Sequence, residues 1–305
     1  MPTVNLLIPL RTTSRNGFYN HHGAATKRLF GYRLHMRIAP PYQYLELQGV
    51  PSERAPEILK KVRRVLPWAA LRLNFGLLGE KGDLQVADHA IFDGQFPTAY
   101  DANLIPSPGR TASNHRGEEA DTLLFSALIE GSQLAVLTGP SLCKQVLLAL
   151  EIFASVDFEA SDNAQFLALI SILEILAKPA PRRKECIDII DDAVARATRE
   201  AEATQDRVLQ QALTDMRKAA SHWKKESIRS SIRRLAISVS QTLGDPDPEA
   251  AWKLAVRLYD KRSDVVHGGD TASSHEALQS RQIAREALAV KVGCFHHIRE
   301  RYPTN

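Results

Sequence analysis

From Pro140 onward, apolar residues recur at three- and four-residue steps, with breaks at Pro179-Ala180-Pro181, Gly244-Asp245-Pro246 and Gly268-Gly269. That period gathers the apolar side chains of each segment on one stripe, and the proline and glycine breaks fall where the helices of a bundle would turn. Residues 141–305 are therefore expected to form an all-α bundle. Residues 1–140 hold most of the proline, glycine and tyrosine, and the shift in composition near Gly139-Pro140 reads as a domain boundary.

The first part reads as a small α+β domain. Tyr32, Leu34, Met36 and Ile38 alternate with Arg33, His35 and Arg37, the period of a half-buried strand with one basic face. Tyr42–Leu47, Leu71–Leu77 and Leu84–Ala87 are further strand candidates between glycines. Pro51-Ser52-Glu53 opens a helix expected to end at Leu66, because Pro67 follows. No glycine-rich phosphate loop, paired metal ligands or nucleophile elbow occurs here. His21-His22 could bind a metal or a base, and the basic face of Arg33, His35 and Arg37 could grip an RNA backbone, but both are read as solvated.

Composition narrows the setting. With 305 residues and 44% hydrophobic content the chain can bury a sizeable core. Cys143, Cys186 and Cys294 show neither zinc spacing nor a disulfide framework, which suggests a reducing cytoplasm and three buried thiols. The N-terminal apolar run is short, lacks a basic leader and is broken by Pro9, unlike a signal peptide. The best candidate for a membrane span, Val146–Val156, is too short and carries Glu151. A net charge of +4 permits contact with nucleic acid without requiring it.

Within the helical part, Asn163 is placed to cap a helix whose Phe166, Leu169, Ile170, Leu173 and Leu176 make a wide apolar stripe. Glu174 lies in that stripe. It either sits at the bundle edge or meets a cation such as Arg262. Arg182–Glu202 and Asp206–His222 read as an amphipathic pair. Lys225, Arg229 and Arg233 then follow at four-residue steps, a basic stripe that is solvated by default and a phosphate contact in the functional reading. Asp247-Pro248-Glu249 starts the next helix, which the two glycines close after His267. A histidine there faces unpaired carbonyls, which favour its imidazolium form. Arg262, five residues earlier, points roughly 140° away on an ideal helix, so the two side chains flank a groove.

Spacing alone does not select this pair. Arg110 with His115 and Arg217 with His222 share it, the first in a loop-like stretch and the second in a charged helical run. The third pair differs in context: Tyr259 before the arginine, Ser263 and Asp264 after it, then Val265-Val266 and the glycine stop. This run resembles the signature of the HEPN superfamily (higher eukaryotes and prokaryotes nucleotide-binding), in particular its Apea-like branch. Residues 164–178, with Phe166, Leu169, Leu173, Glu174 and Leu176, resemble that domain's first helix. Lys225-Glu226-Ser227-Ile228 with Ile232 and Leu235 resembles its middle helix, so 160–302 matches in order. Ser263 stands where many catalytic members carry Asn, Asp or His.

The resemblance implies a metal-independent endoribonuclease using the 2′-hydroxyl of RNA, in bacterial antiphage defence or a toxin-like role. Arg262 and His267 would be catalytic. Ser263, Asp264, Tyr259 and Glu174 would support them, and Lys225, Arg229 and Arg233 would contact RNA. It also implies a homodimer with a composite site and no cofactor or metal, and leaves any regulatory partner or antidote unnamed. The alternative is a non-catalytic module that holds a nucleotide or a partner.

Overall fold

A computed structural model describes residues 2–13, 27–39, 42–80, 82–87, 96–103, 116–134 and 143–293. The N-terminal part is strand-rich and the C-terminal half mostly helical. His21, His22, Arg110, His115 and Cys294 lie outside the described residues, as does the boundary expected at 139–140. The contacts divide the chain elsewhere, into one unit of Met1–Ile172 with Thr271–Asn305 and a second of Leu173–Asp270.

The first unit holds a seven-stranded sheet in the order β2-β3-β4-β1-β7-β6, with β5 also paired to β1. The strands are β1 (Thr3–Thr12), β2 (Arg28–Leu29), β3 (Tyr32–Ala39), β4 (Tyr42–Pro51), β5 (Leu77–Gly79), β6 (Gln85–Ala87) and β7 (Thr98–Asp101). All pairings are antiparallel except β6 with β7. The short apolar run near the N-terminus is β1, the central strand. Its residues from Val4 to Leu10 are all buried, so both faces are covered and the sequence shows no alternation. Pro9 is tolerated because β7 pairs with Val4–Leu7 and β5 with Leu10–Thr12, leaving a gap between them. The Pro9 carbonyl accepts from the Glu80 amide on that side, and a strand residue's amide and carbonyl point the same way, so its missing N–H forgoes one bond at the end of the short β5 ladder and none to β4. Across from Asn5, Gln48 and Gly49 form a bulge: Gly49 takes φ +75° and donates its amide to Asn5 Oδ1 at 3.2 Å.

Helix α1 (Ala55–Leu73) runs through Pro67 instead of stopping at Leu66. An interior proline costs about 3 kcal/mol, but Trp68 and Leu71 beyond it are fully buried, and burying two such side chains contributes roughly 3–6 kcal/mol. Packing wins, and Leu71–Leu73, expected as strand, are helical. Asn74 ends the helix in the left-handed region. Helices α2 (Arg116–Gln133) and α3 (Lys144–Ser155) join α1 over one face of the sheet, with Leu6, Ile8, Leu45, Val62, Leu66 and Leu128 in the shared core. Leu7, Tyr44 and Tyr100 are buried on the opposite face with Glu46, which is 0% exposed. Glu46 accepts from Arg37 Nε at 2.7 Å, from Gln48 at 3.3 Å and from the Tyr100 hydroxyl. Thus Arg37, read above as solvated, is half-buried and paired, while Arg33 and His35 are exposed.

Helix α4 (Asp162–Leu176) contains the unit boundary. Its first turn is capped by Ser161, whose Oγ accepts from the Ala164 amide at 3.2 Å, and not by Asn163, whose Oδ1 accepts from the Ala272 amide at 2.6 Å. The C-terminal helix α9 (Ser274–Val292) opens with a capping box of Ser273 and Glu276 and belongs to the first unit. Arg285, 6% exposed, donates to the last carbonyls of α1, at Leu71 (3.1 Å) and Arg72 (3.3 Å). Arg281 pairs with Asp157 and lies 4.7 Å over the Phe153 ring.

The second unit consists of the end of α4 and two antiparallel helix pairs. Helices α5 (Lys184–Ala203) and α6 (Arg207–Trp223) form a hairpin, α6 being capped by Asp206. Its root is closed by an isolated bridge of Pro181 with Lys225 and by Glu226, which accepts from the Ala180 amide at 2.9 Å and from Arg234 Nε at 3.0 Å. Helices α7 (Ile228–Leu243) and α8 (Pro248–His267) pack along each other, starting at N-caps Ser227 and Asp247. Cys186 on α5 is exposed, not buried as expected, because its turn of α5 faces solvent; Cys143 is half-buried. No helix among the described residues is long and apolar enough to cross a membrane.

Candidate functional site

The motif occupies the last two turns of α8, where both glycines are needed for different reasons. Gly269 takes φ +70°, whereas Gly268 stays right-handed, but a Cβ on Gly268 would lie 2.8 Å from the Asp264 carbonyl. That carbonyl accepts from the amides of Gly268 (2.8 Å) and Asp270 (3.3 Å), folding the chain back so that Asp270 pairs with Lys261.

Arg262 Nε lies 3.2 Å from Glu174 Oε1 on α4, with 33% of the arginine side chain and 25% of the glutamate side chain open to solvent. Of the two positions open to Glu174 from sequence, the structure takes the pair. His267 is exposed in the last turn, Ser263 and Asp264 are exposed, and Tyr259 is half-buried. On the helical wheel Tyr259, Ser263 and Val266 stand between Arg262 and His267, so the cation and the imidazole flank a narrow floor of one ring, one hydroxyl and one small apolar side chain.

Of the proposed RNA contacts, Lys225 is exposed beside the hairpin root. Arg229 makes a two-pronged pair with Asp260 at 2.9 and 3.0 Å, and Arg233 stacks 4.1 Å over Trp252. Those two arginines fasten α7 to α8. Periodicity gave their face but not the acid and the indole opposite, which are the residues that sequence reasoning missed. Among the described residues no group of three or more His, Cys, Asp or Glu could hold a metal ion.

The chain matches no family model, no curated protein and no solved structure. Among the other arginines at the same spacing, Arg217 is exposed on α6 with His222 exposed one turn later. Arg262 differs in having a carboxylate from another helix fix its near edge. Its contact with the acid runs through Nε, and the two Nη groups of an arginine form a fork suited to an oxyanion.

Proposed function

We propose that the chain is a metal-independent endoribonuclease of the HEPN type, with Arg262 and His267 as its catalytic residues. The observation that carries this reading is the pairing of Arg262 with Glu174 while a third of the arginine stays open, across a short floor from an exposed imidazole. His267 takes the proton of a 2′-hydroxyl, the 2′ oxygen bonds to phosphorus, and the P–O5′ bond breaks as an acid protonates the leaving oxygen. Arg262 stabilises the extra negative charge on the phosphoryl oxygens during that exchange. The products are a 2′,3′-cyclic phosphate and a 5′-hydroxyl. Two proton transfers want two imidazoles, which a two-fold dimer supplies from two copies of His267. Ser263 or Asp264 orients the imidazole or contacts phosphate in this reading. In this reading the protein acts in the cytoplasm, in antiphage defence or as a toxin, and the strand-rich unit senses the trigger.

His267→Ala tests it: cleavage of RNA is lost, the melting temperature stays within about one degree because the side chain is exposed, and EDTA leaves the wild type active. Products ending in 3′-hydroxyl, or full activity in the variant, refute it. A second reading, a non-catalytic module that holds a nucleotide or a partner, is favoured by Ser263 and by the engagement of Arg229 and Arg233 within the unit. Wild-type protein that binds RNA without cutting it would establish that reading.

A further inference from the structure

The α5/α6 hairpin has one polar and one apolar face. On the polar face Asp191 pairs with Lys224, and Glu202, Arg207, Gln210, Thr214 and Arg217 line a shallow groove. On the other side of α6, Leu209, Ala212, Met216, Ala219 and Trp223 recur at alternating steps of three and four, the spacing of a coiled-coil seam. That seam is not filled: Leu209 is 46% exposed, Met216 40% and Trp223 51%. On α5 the seam of Ile187, Ile190, Val194, Ala197 and Ala201 turns toward α6, while Cys186 and Ala193 continue the apolar face beside it and are exposed. Two helices packed only on each other cannot cover both sides of such a seam.

We propose that this face is where two copies of the chain associate, building a four-helix bundle from two hairpins. The size fits. Helices of about 25 and 30 Å at a spacing of about 9 Å present roughly 500–600 Å² per copy, and two copies together pass the roughly 1,000 Å² that a specific interface needs. The charges set the direction. Arms laid antiparallel would place Asp215, at the middle of α6, against its own copy. Arms running the same way lay α5 on the partner copy's α6, with Arg196 within reach of Asp215. The hairpin roots then lie at one end of the assembly. The proposal stands on exposure, period and charge, independently of the chemistry assigned to α8.

Sedimentation equilibrium of the full chain from roughly 1 to 100 µM tests it, since association depends on concentration. The wild type is expected to be dimeric, and Met216→Glu to raise the dissociation constant at least about a hundredfold with helicity by circular dichroism unchanged. Leu209→Glu is the second variant, decisive if Met216→Glu loses helicity. Arg217→Glu, on the polar face, keeps the dimer. Arg196→Glu weakens it and Arg196→Glu with Asp215→Lys restores it. A wild type that stays monomeric at about 100 µM, even if another protein covers the face, overturns the proposal. So does a dimer that both apolar-face variants leave intact. Failure of the charge swap to restore association overturns the direction of the arms. RNA cleavage is assayed on the same samples, so a dimer without activity counts against the nuclease reading alone.

Discussion

Replacing Arg262 by alanine separates a catalytic from a structural role, because the structure sets different sizes for the two effects. The pair with Glu174 is 3.2 Å long and a quarter to a third exposed, so solvent screening limits its contribution to about 1 kcal/mol. Loss of the packed arginine stem and the unpaired carboxylate left behind bring the total to about 1–2 kcal/mol. For a chain of this size that is a fall of only about 2–6 °C in melting temperature. In the proposed reaction, the same side chain would face a phosphoryl group that gains charge, where removing one stabilising donor costs about 10²–10³ in rate, or about 2.7–4 kcal/mol. Arg262→Lys keeps the charge but not the fork, so it melts like the wild type and recovers only part of the rate. Thermal melts and single-turnover cleavage of a labelled RNA give the two quantities on one sample. Unchanged cleavage in Arg262→Ala would refute the catalytic assignment. A stability loss above about 4 kcal/mol, beyond what a screened pair can supply, would show that the cluster is a structural lock.

Two further predictions concern the carboxylates that hold each unit together. Hydrogen bonds from Arg234 hold the Glu226 carboxyl down at about 2. Its contribution to stability is therefore complete above about pH 4.5 and is lost as pH falls toward about 2; Glu226→Gln should flatten that part of an acid-unfolding curve, and an unaltered curve would contradict the assignment. In the sheet, burial and then the hydrogen bond to Glu46 raise the Tyr100 phenol above its ordinary value of 10.0. The neutral phenol supports the fold fully below pH 10 and increasingly less above it. Tyr100→Phe should cost about 1–3 kcal/mol at neutral pH by leaving a buried acceptor short of a donor, and should weaken the alkaline loss seen in denaturant melts of the wild type; identical curves would refute the coupling.

How much of this was legible from sequence varies with how locally each feature is determined. The helices from 162 to 292 and their breaks follow from period, glycine and proline, and the Asp206, Ser227 and Asp247 caps mark three of their starts. β1 was hidden because a strand buried on both faces has no alternation to read, and its proline falls in a gap between neighbours that only the sheet defines. Pro67 misled for the opposite reason: its local rule is sound, but the burial of Trp68 and Leu71 outweighs it. The membership of α9 could not be read at all. Its cap and stripe suit either unit, and the carbonyls at Leu71 and Arg72 that receive Arg285 are more than two hundred residues away in the chain.

The same distinction governs the site. An arginine with a histidine five places on occurs three times in this chain, so the spacing carries little information by itself. What sets Arg262 apart is the acid that α4 brings to its inner edge. An arginine free to sample its rotamers must lose about 2 kcal/mol of conformational freedom on gripping a phosphate. One already paired through Nε has met part of that cost on folding, so more of its attraction would be left for the charge that develops in the proposed reaction. From sequence a lone carboxylate in an apolar stripe left Glu174 either at the bundle edge or paired with a cation such as Arg262, and the structure shows the pair. The basic stripe of α7 posed no such demand. Exposed arginines are stable with or without partners, and nothing in their spacing required that Arg229 and Arg233 be taken up by Asp260 and Trp252.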